Sequence, residues 1–302
     1  MGSFVRLSGR ISGAALAVAV LMAAPSAALA QPTVGASLTV NVPCSTSALA
    51  AAITQANVSG VATTIVLPFS CTFNIFAPAT AADGLPIITG NITLAGTQNS
   101  VIRRVPFAPS FRILEVAVGG TLSVSHVAIQ NGITAGLGGG ILNGGTLSVS
   151  QAKFSGNTAG NGGAVANSAA ATATISGTLI SNNTTTGVGG GGIINSGLLT
   201  LSGSTVNANT APINGGGLNT QPAGITRIFQ TTFTNNTSGS LGGGISNLGT
   251  TSLAGSQVRL NTGSAGGGIA TGNNNVTLTN TIVRDNNPDN CSPLNTIPGC
   301  SN

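Results

Sequence analysis

From residue 121 onward, apolar and polar positions alternate in short bursts that return at a near-fixed interval. The bursts are TLSVS at 121, TLSVS at 146, TATIS at 172, LLTLS at 198, ITRIF at 225, TTSLA at 250 and NVTLT at 275. Successive starts lie 25, 26, 26, 27, 25 and 25 residues apart. A constant period in this range marks a solenoid or array and has to be read before any isolated motif. Within each burst the alternation has period two, the signature of a strand with one buried face. Leu122 and Val124, Leu147 and Val149, Ala173 and Ile175, and Leu199 and Leu201 are therefore expected to point inward.

Each unit repeats the same parts in the same order. Eight residues after the burst begins stands Ile129, Phe154, Ile180, Val206, Phe233, Val258 or Val283, a column that predicts a second short strand. Eleven residues after the start, six of the seven units carry Asn: Asn157, Asn183, Asn209, Asn236, Asn261 and Asn286. An Asn at a bend between strands tolerates left-handed backbone angles, and stacked carboxamides can hydrogen-bond from unit to unit, so a structural Asn ladder is expected. A glycine run then precedes a third apolar stretch, as in GGGILN, GGAVAN, GGGIIN, GGGLNT, GGGISN and GGGIAT.

Three short strands joined by bends make one rung, and stacking rungs lets each strand pair in parallel with its copies about 4.8 Å away. The expected fold is all-β, a right-handed parallel β-helix with three-strand rungs of about 25–27 residues and a short N-terminal capping helix. That helix is expected over Ser47 to Asn57, where Leu49, Ile53 and Ala56 share a face and Ser45 to Ser47 can cap. Residues 1–30 read as a signal peptide, with Arg6 and Arg10 before an apolar core and Ala28-Leu29-Ala30 as the cleavage site. Residues 31–60 form an N-terminal cap, 61–118 irregular first rungs, 119–287 regular rungs, and 288–302, with Pro288, Pro293 and Pro298, a C-terminal cap tail.

The GG[GA][ILV] elements and the F-x-x-N elements, FSGN at 154 and FTNN at 233, resemble the repeats of polymorphic outer-membrane proteins. The order VPCSTSALAAAITQAN, TIVLPFSCTF, LPIITGNITLAG, FRILEVAVGGTLSVSHVAIQNG and a closing Cys pair resembles secreted bacterial right-handed parallel β-helix repeat proteins of the pectin-lyase-like superfamily. The resemblance covers residues 38 to 300. It implies the fold, and it implies a choice among lyases, hydrolases and adhesins that has to be made from the residues of the site.

Composition narrows that choice. Only 4 % of the 302 residues are charged, yet 41 % are apolar, so the chain can bury a core built of small and branched side chains. Without the two arginines of the signal segment, seven basic residues face four acidic ones, a net charge of +3. This is too sparse for a nucleic-acid surface, and no later stretch is apolar for the roughly 20 residues a membrane helix needs. Cys44 and Cys71 lie near the start and Cys291 and Cys300 at the end, which favours one staple at each end, although sequence allows three pairings. Four cysteines fit an oxidising compartment, so the protein is expected to be secreted or at the cell surface.

No catalytic residue, metal site or cofactor is assigned. The chain's acids are Asp83, Glu115, Asp285 and Asp289, and Glu115 and Asp285 are expected near 29 Å apart, about six rungs at about 4.8 Å. Arg103, Arg104 and Arg112 form the densest basic cluster, a candidate surface for an anionic polymer. The outward Thr and Ser of the first strand, among them Thr146, Ser148, Thr172 and Thr174, and the outward Arg259 and Arg284 make a candidate ligand face. The expected function is a non-catalytic, monomeric β-helix with a structural, adhesive or glycan-contacting role, its partner a polysaccharide or cell-surface glycan. The alternatives are a polysaccharide lyase or glycoside hydrolase of the pectin-lyase-like type, and ice binding through the Thr/Ser face.

Overall fold

The computed structural model describes residues 37–302; the signal segment 1–30 and the first residues of the expected N-terminal cap lie outside them. The described chain is a parallel β-solenoid of about ten turns. First and second strands of successive turns form one large sheet, and third strands form an eight-stranded sheet from Leu114–Val116 to Cys291–Ser292. Neighbouring turns pair in register: Leu147 lies beside Ala173 and Leu122, and Val149 beside Ile175 and Val124. These inward residues are all at most 1 % exposed. The period-two alternation thus becomes continuous apolar columns because a parallel in-register ladder puts like beside like.

Among the described residues the single helix spans Thr46–Val58. Ser45 caps it by accepting from Ala48 N at 3.4 Å, and Leu49, Ile53 and Ala56 are buried against the first strands. Thr46 Oγ1 donates to Asn74 O at 2.9 Å, and Asn57 donates to Ile87 O at 2.7 Å, which pins the helix at both ends. Among the described residues no helix is long and apolar enough to cross a membrane. Disulfides join Cys44 to Cys71 and Cys291 to Cys300, a pairing suited to an oxidising environment.

Three polar ladders run through the interior. In the first, Asn157 Nδ2 donates to Asn183 Oδ1 at 3.0 Å, Asn183 to Asn209 at 2.9 Å, Asn209 to Asn236 at 2.9 Å, Asn236 to Asn261 at 2.9 Å and Asn261 to Asn286 at 3.0 Å. Each Oδ1 also accepts the backbone N–H of the preceding ladder Asn, as Asn183 Oδ1 does from Asn157 N at 3.1 Å. The left-handed angles, however, fall one residue earlier than the Asn bend reading expects. Gly156, Asn182, Ala208, Asn235, Leu260 and Asp285 have positive φ, and the ladder Asn follows each of them. The turn itself is made by the preceding residue, which leaves the ladder side chain free to point inward.

The second ladder links Asn143 to Asn167 at 2.7 Å and Asn167 to Asn195 at 2.8 Å at the end of the third strand. The third consists of hydroxyls at the first bend: Thr178 N donates to Ser204 Oγ at 3.1 Å, Ser204 N to Thr231 Oγ1 at 3.3 Å, and Thr231 N to Ser256 Oγ at 3.2 Å. Each ladder satisfies backbone groups that a tight bend strips of strand partners. The glycine runs serve packing as well as turning. Gly190 has φ +72, whereas a Cβ on Gly191 would strike the carbonyls of Gly216 and Thr210 in the next turn.

Candidate ligand face and the buried ion cluster

The outward residues of the first strands form columns because the ladder is in register. In the central column Thr39, Thr64, Thr93, Ser123, Ser148, Thr174 and Thr200 follow one another on seven consecutive turns, and Arg227 then interrupts the run. Thr146 and Thr172 stand side by side in the flanking column, and Leu198 follows them. Stacked strands space these hydroxyls about 4.8 Å apart along the solenoid. The first three members of the column precede the regular repeat, so a search keyed to the 25-residue period does not reach them.

The hydroxyl face ends at the bend into the second strand. There Asn99, His126 and Gln151 occupy the left-handed position of consecutive turns, with φ of 62, 57 and 49°. Together with Lys153 on the following strand they line an open cavity of about 220 Å³. In the next two turns Gly177 and Gly203 take the bend position and interrupt the polar row, which Gln230 and Asn280 resume farther along. Carboxamides, an imidazole and an ammonium beside rows of hydroxyls offer hydrogen bonds of both senses, the chemistry that suits a polyhydroxylated chain.

Arg259 and Arg284 stack in register on the second strands, far along the solenoid from the Thr146 to Thr174 rows. Arg284 Nη1 pairs with Asp285 at 3.1 Å, both exposed. The ladder residues Asn157, Asn183, Asn209, Asn236 and Asn261 are all 0 % exposed, which makes them interior scaffold rather than ligand contacts.

The basic cluster expected on the surface is taken apart by the fold. Arg104 and Arg112 are 6 % and 8 % exposed, and only Arg103 remains outside, donating to Asn74 Oδ1 at 2.7 Å. Arg104 pairs in register with the inward Ile75. Its guanidinium donates to Pro109 O at 2.9 Å and Ala108 O at 2.7 Å, and lies 5.9 Å from the Phe111 ring centre. Burial lowers its pKa, while the carbonyls and the ring supply the compensating contacts.

Arg112 gathers two carboxylates whose closeness the sequence does not signal. Its Nε lies 3.0 Å from Asp83 Oδ1 and its Nη1 3.4 Å from Glu115 Oε2. Asp83 is 2 % exposed and also accepts from Thr80 Oγ1 at 2.6 Å. Burial, then the neighbouring Asp83 charge, pushes the Glu115 carboxyl above its ordinary range, with Arg112 opposing the rise. Asp83 and Arg112 bridge in parallel across adjacent turns, so the loops before the third strand bring them together. Asp285 and Asp289 belong to the far end, where Asp289 Oδ1 accepts from Gly267 N at 3.1 Å. No protein-family model and no curated protein matches this chain.

Proposed function

We propose that the protein is a secreted or cell-surface β-solenoid of the pectin-lyase-like type that contacts glycans without cleaving them. The observation that carries this reading is the column of hydroxyls from Thr39 to Thr200, which borders the cavity of Asn99, His126, Gln151 and Lys153. A rigid lattice of this kind offers a polysaccharide chain repeated contacts at low ordering cost, because the strands hold the hydroxyls in position before binding. The two disulfides support an extracellular address. A non-catalytic role is supported by the state of the acids: Asp83 is closed in by Arg112 and Thr80, and Asp285 is tied to Arg284.

The test is a glycan array combined with a polysaccharide-depolymerisation assay, with and without calcium, on the purified protein and on Ser148→Val/Thr174→Val. Binding without turnover that falls at least about tenfold in the double variant supports the reading. Release of reducing or unsaturated ends overturns it. One observation favours that second, hydrolase-like reading: Glu115 is a partly accessible carboxyl with a raised pKa beside a second carboxyl. Loss of release in Glu115→Gln would identify that site.

A further inference from the structure

Interior turns bury their inward apolar residues fully, as Ile65 at 0 %, Leu253 at 1 % and Val258 at 0 % exposure illustrate. At the two ends of the large sheet this burial fails. Leu38 is 40 % exposed and Val40 only partly covered at one end; at the other, Leu278 and Val283 are partly covered, while Val276 is 3 % exposed and leaves only its backbone edge open. Among the described residues, the strand Ser37–Asn41 has a neighbour only in Ala62–Val66, and Val276–Thr279 only in Thr250–Ala254.

The other edges are closed by specific devices. Asn302 brackets the backbone of Cys291, its Oδ1 accepting from Cys291 N at 2.6 Å and its Nδ2 donating to Cys291 O at 2.9 Å. Asn290 terminates the Asn ladder by accepting from Asn286 Nδ2 at 3.0 Å and passes it on to Ser301 O at 2.8 Å. At the opposite end, Thr46 of the helix takes the free carbonyl of Asn74. On the second strand, Ile282–Arg284 carries the charge of Arg284, which discourages edge pairing. Neither SLTVN at 37 nor VTLT at 276 has a charge, a proline or a bulge, the features that normally blunt an exposed edge.

The free groups at these two ends are complementary. In the interior, an outward residue donates its N–H to the preceding turn, as Thr250 N does to Gly224 O at 3.0 Å. An inward residue donates to the following turn, as Thr251 N does to Asn275 O at 3.0 Å. By the same rule the groups without a strand partner are those of Val276 and Leu278 at one end and Thr39 and Asn41 at the other. Inward columns already run through Leu38, Thr63 and Ile92 at one end and through Thr226, Thr251 and Val276 at the other.

We infer that Val276–Thr279 of one molecule pairs in parallel with Ser37–Asn41 of a second copy, so that the solenoids associate head to tail. The junction repeats the interface that joins every turn to the next. Leu38 comes into register with Val276, Val40 stacks on the partly covered Leu278, and Thr39 continues the outward column beyond Thr277. Val276 N–H donates to Ser37 C=O and Leu278 N–H to Thr39 C=O, while Thr39 and Asn41 N–H donate to Val276 and Leu278 C=O. Such a contact is heterologous and does not close, so it yields chains of increasing length rather than a fixed dimer. Such open chains depart from the monomer expected from the sequence, and the mass in solution decides between the two.

Sedimentation velocity over a concentration series tests the inference, using the protein, Thr39→Pro and Leu278→Pro. Each proline removes an N–H that faces the junction and no N–H that pairs within the molecule. The weight-average mass of the unaltered protein is expected to rise with concentration past the dimer, and each variant alone to stay monomeric. An equimolar mixture of the two variants retains one intact edge of each kind and is expected to form a dimer and nothing larger. A monomer at every concentration overturns the inference, as does dimerisation of Thr39→Pro alone, which would mean tail-to-tail pairing. Thr277→Lys/Thr279→Lys, altered only at exposed outward positions, replaces Leu278→Pro if that variant does not fold, and carries the same expectations.

Discussion

Asn183 Nδ2 donates to Asn209 Oδ1 at 2.9 Å, 26 residues and one turn away, and both side chains are wholly buried. Asn183 Nδ2 also donates to Phe154 O at 3.1 Å and Ser181 O at 3.0 Å, and its Oδ1 accepts from the backbone and side chain of Asn157. One carboxamide therefore satisfies groups in three turns. The aligned amide dipoles of the ladder reinforce one another in the buried, low-dielectric interior.

Asn183→Ala strands several of these buried groups at once. A buried group left unpaired costs about 1–3 kcal/mol, so a loss of about 3 kcal/mol or more is expected, together with a clear fall in Tm by calorimetry. Amide hydrogen exchange should quicken at Asn157 and its neighbours before it changes at the ends. A Tm within 1 °C of the parent, a band of roughly a few tenths of a kcal/mol, would remove the ladder from the account of stability.

The glycine corners separate two kinds of glycine. Gly191→Ala puts a methyl against the carbonyls of Gly216 and Thr210 and should destabilise by about 2 kcal/mol or more. Gly177 has φ +53 with only the Gln151 side chain and backbone at the edge of contact, and Asn occupies the same bend position at Asn99 and Asn280. Gly177→Asn should therefore change stability by less than about 1 kcal/mol. Equal chemical-denaturation midpoints for the two variants would contradict the packing role assigned to Gly191.

Glu115 supplies a pH dependence with a definite sign. Its folded pKa lies above the ordinary 4.5, so the folded state holds this proton more tightly than the unfolded chain. The associated stabilisation is complete below that ordinary value and is lost as pH rises through the raised folded value. Glu115→Gln should match the parent's Tm in the acid range and exceed it at neutral pH. A Tm difference that does not vary with pH would show that burial of Glu115 does not govern its titration.

The terminal staple Cys291–Cys300 closes a loop of sequence separation 9 and holds the tail that brackets Cys291 and Asn290. Cys291→Ser/Cys300→Ser should cost about 2–3 kcal/mol. Hydrogen exchange should rise first in the last turns, since a solenoid transmits stability between neighbours. Uniform loosening from end to end would argue for a single cooperative unit instead.

How much of this was readable beforehand follows from the range of the interactions involved. The repeat period, the inward Leu147 and Val149, the Asn157 to Asn286 column and the helix face of Leu49 and Ile53 are all written locally. Stacking adds only a constant offset to such patterns, so each residue's neighbour is its own counterpart one period away. The left-handed position, one residue before each ladder Asn, carries no such local mark, because Gly156, Asn182, Ala208, Asn235, Leu260 and Asp285 share no single residue type. Those turns are set by strand geometry and tolerated by several side chains.

The sequence by itself thus determined the β-solenoid, its inward columns and its main ladder. Only the tertiary structure decided the meeting of Asp83, Arg112 and Glu115, the burial of Arg104 under its carbonyls, and which terminal edges are closed. These contacts join loops and ends that lie outside the period. No constant offset relates their residues, and their geometry follows from how irregular segments pack against a finished core.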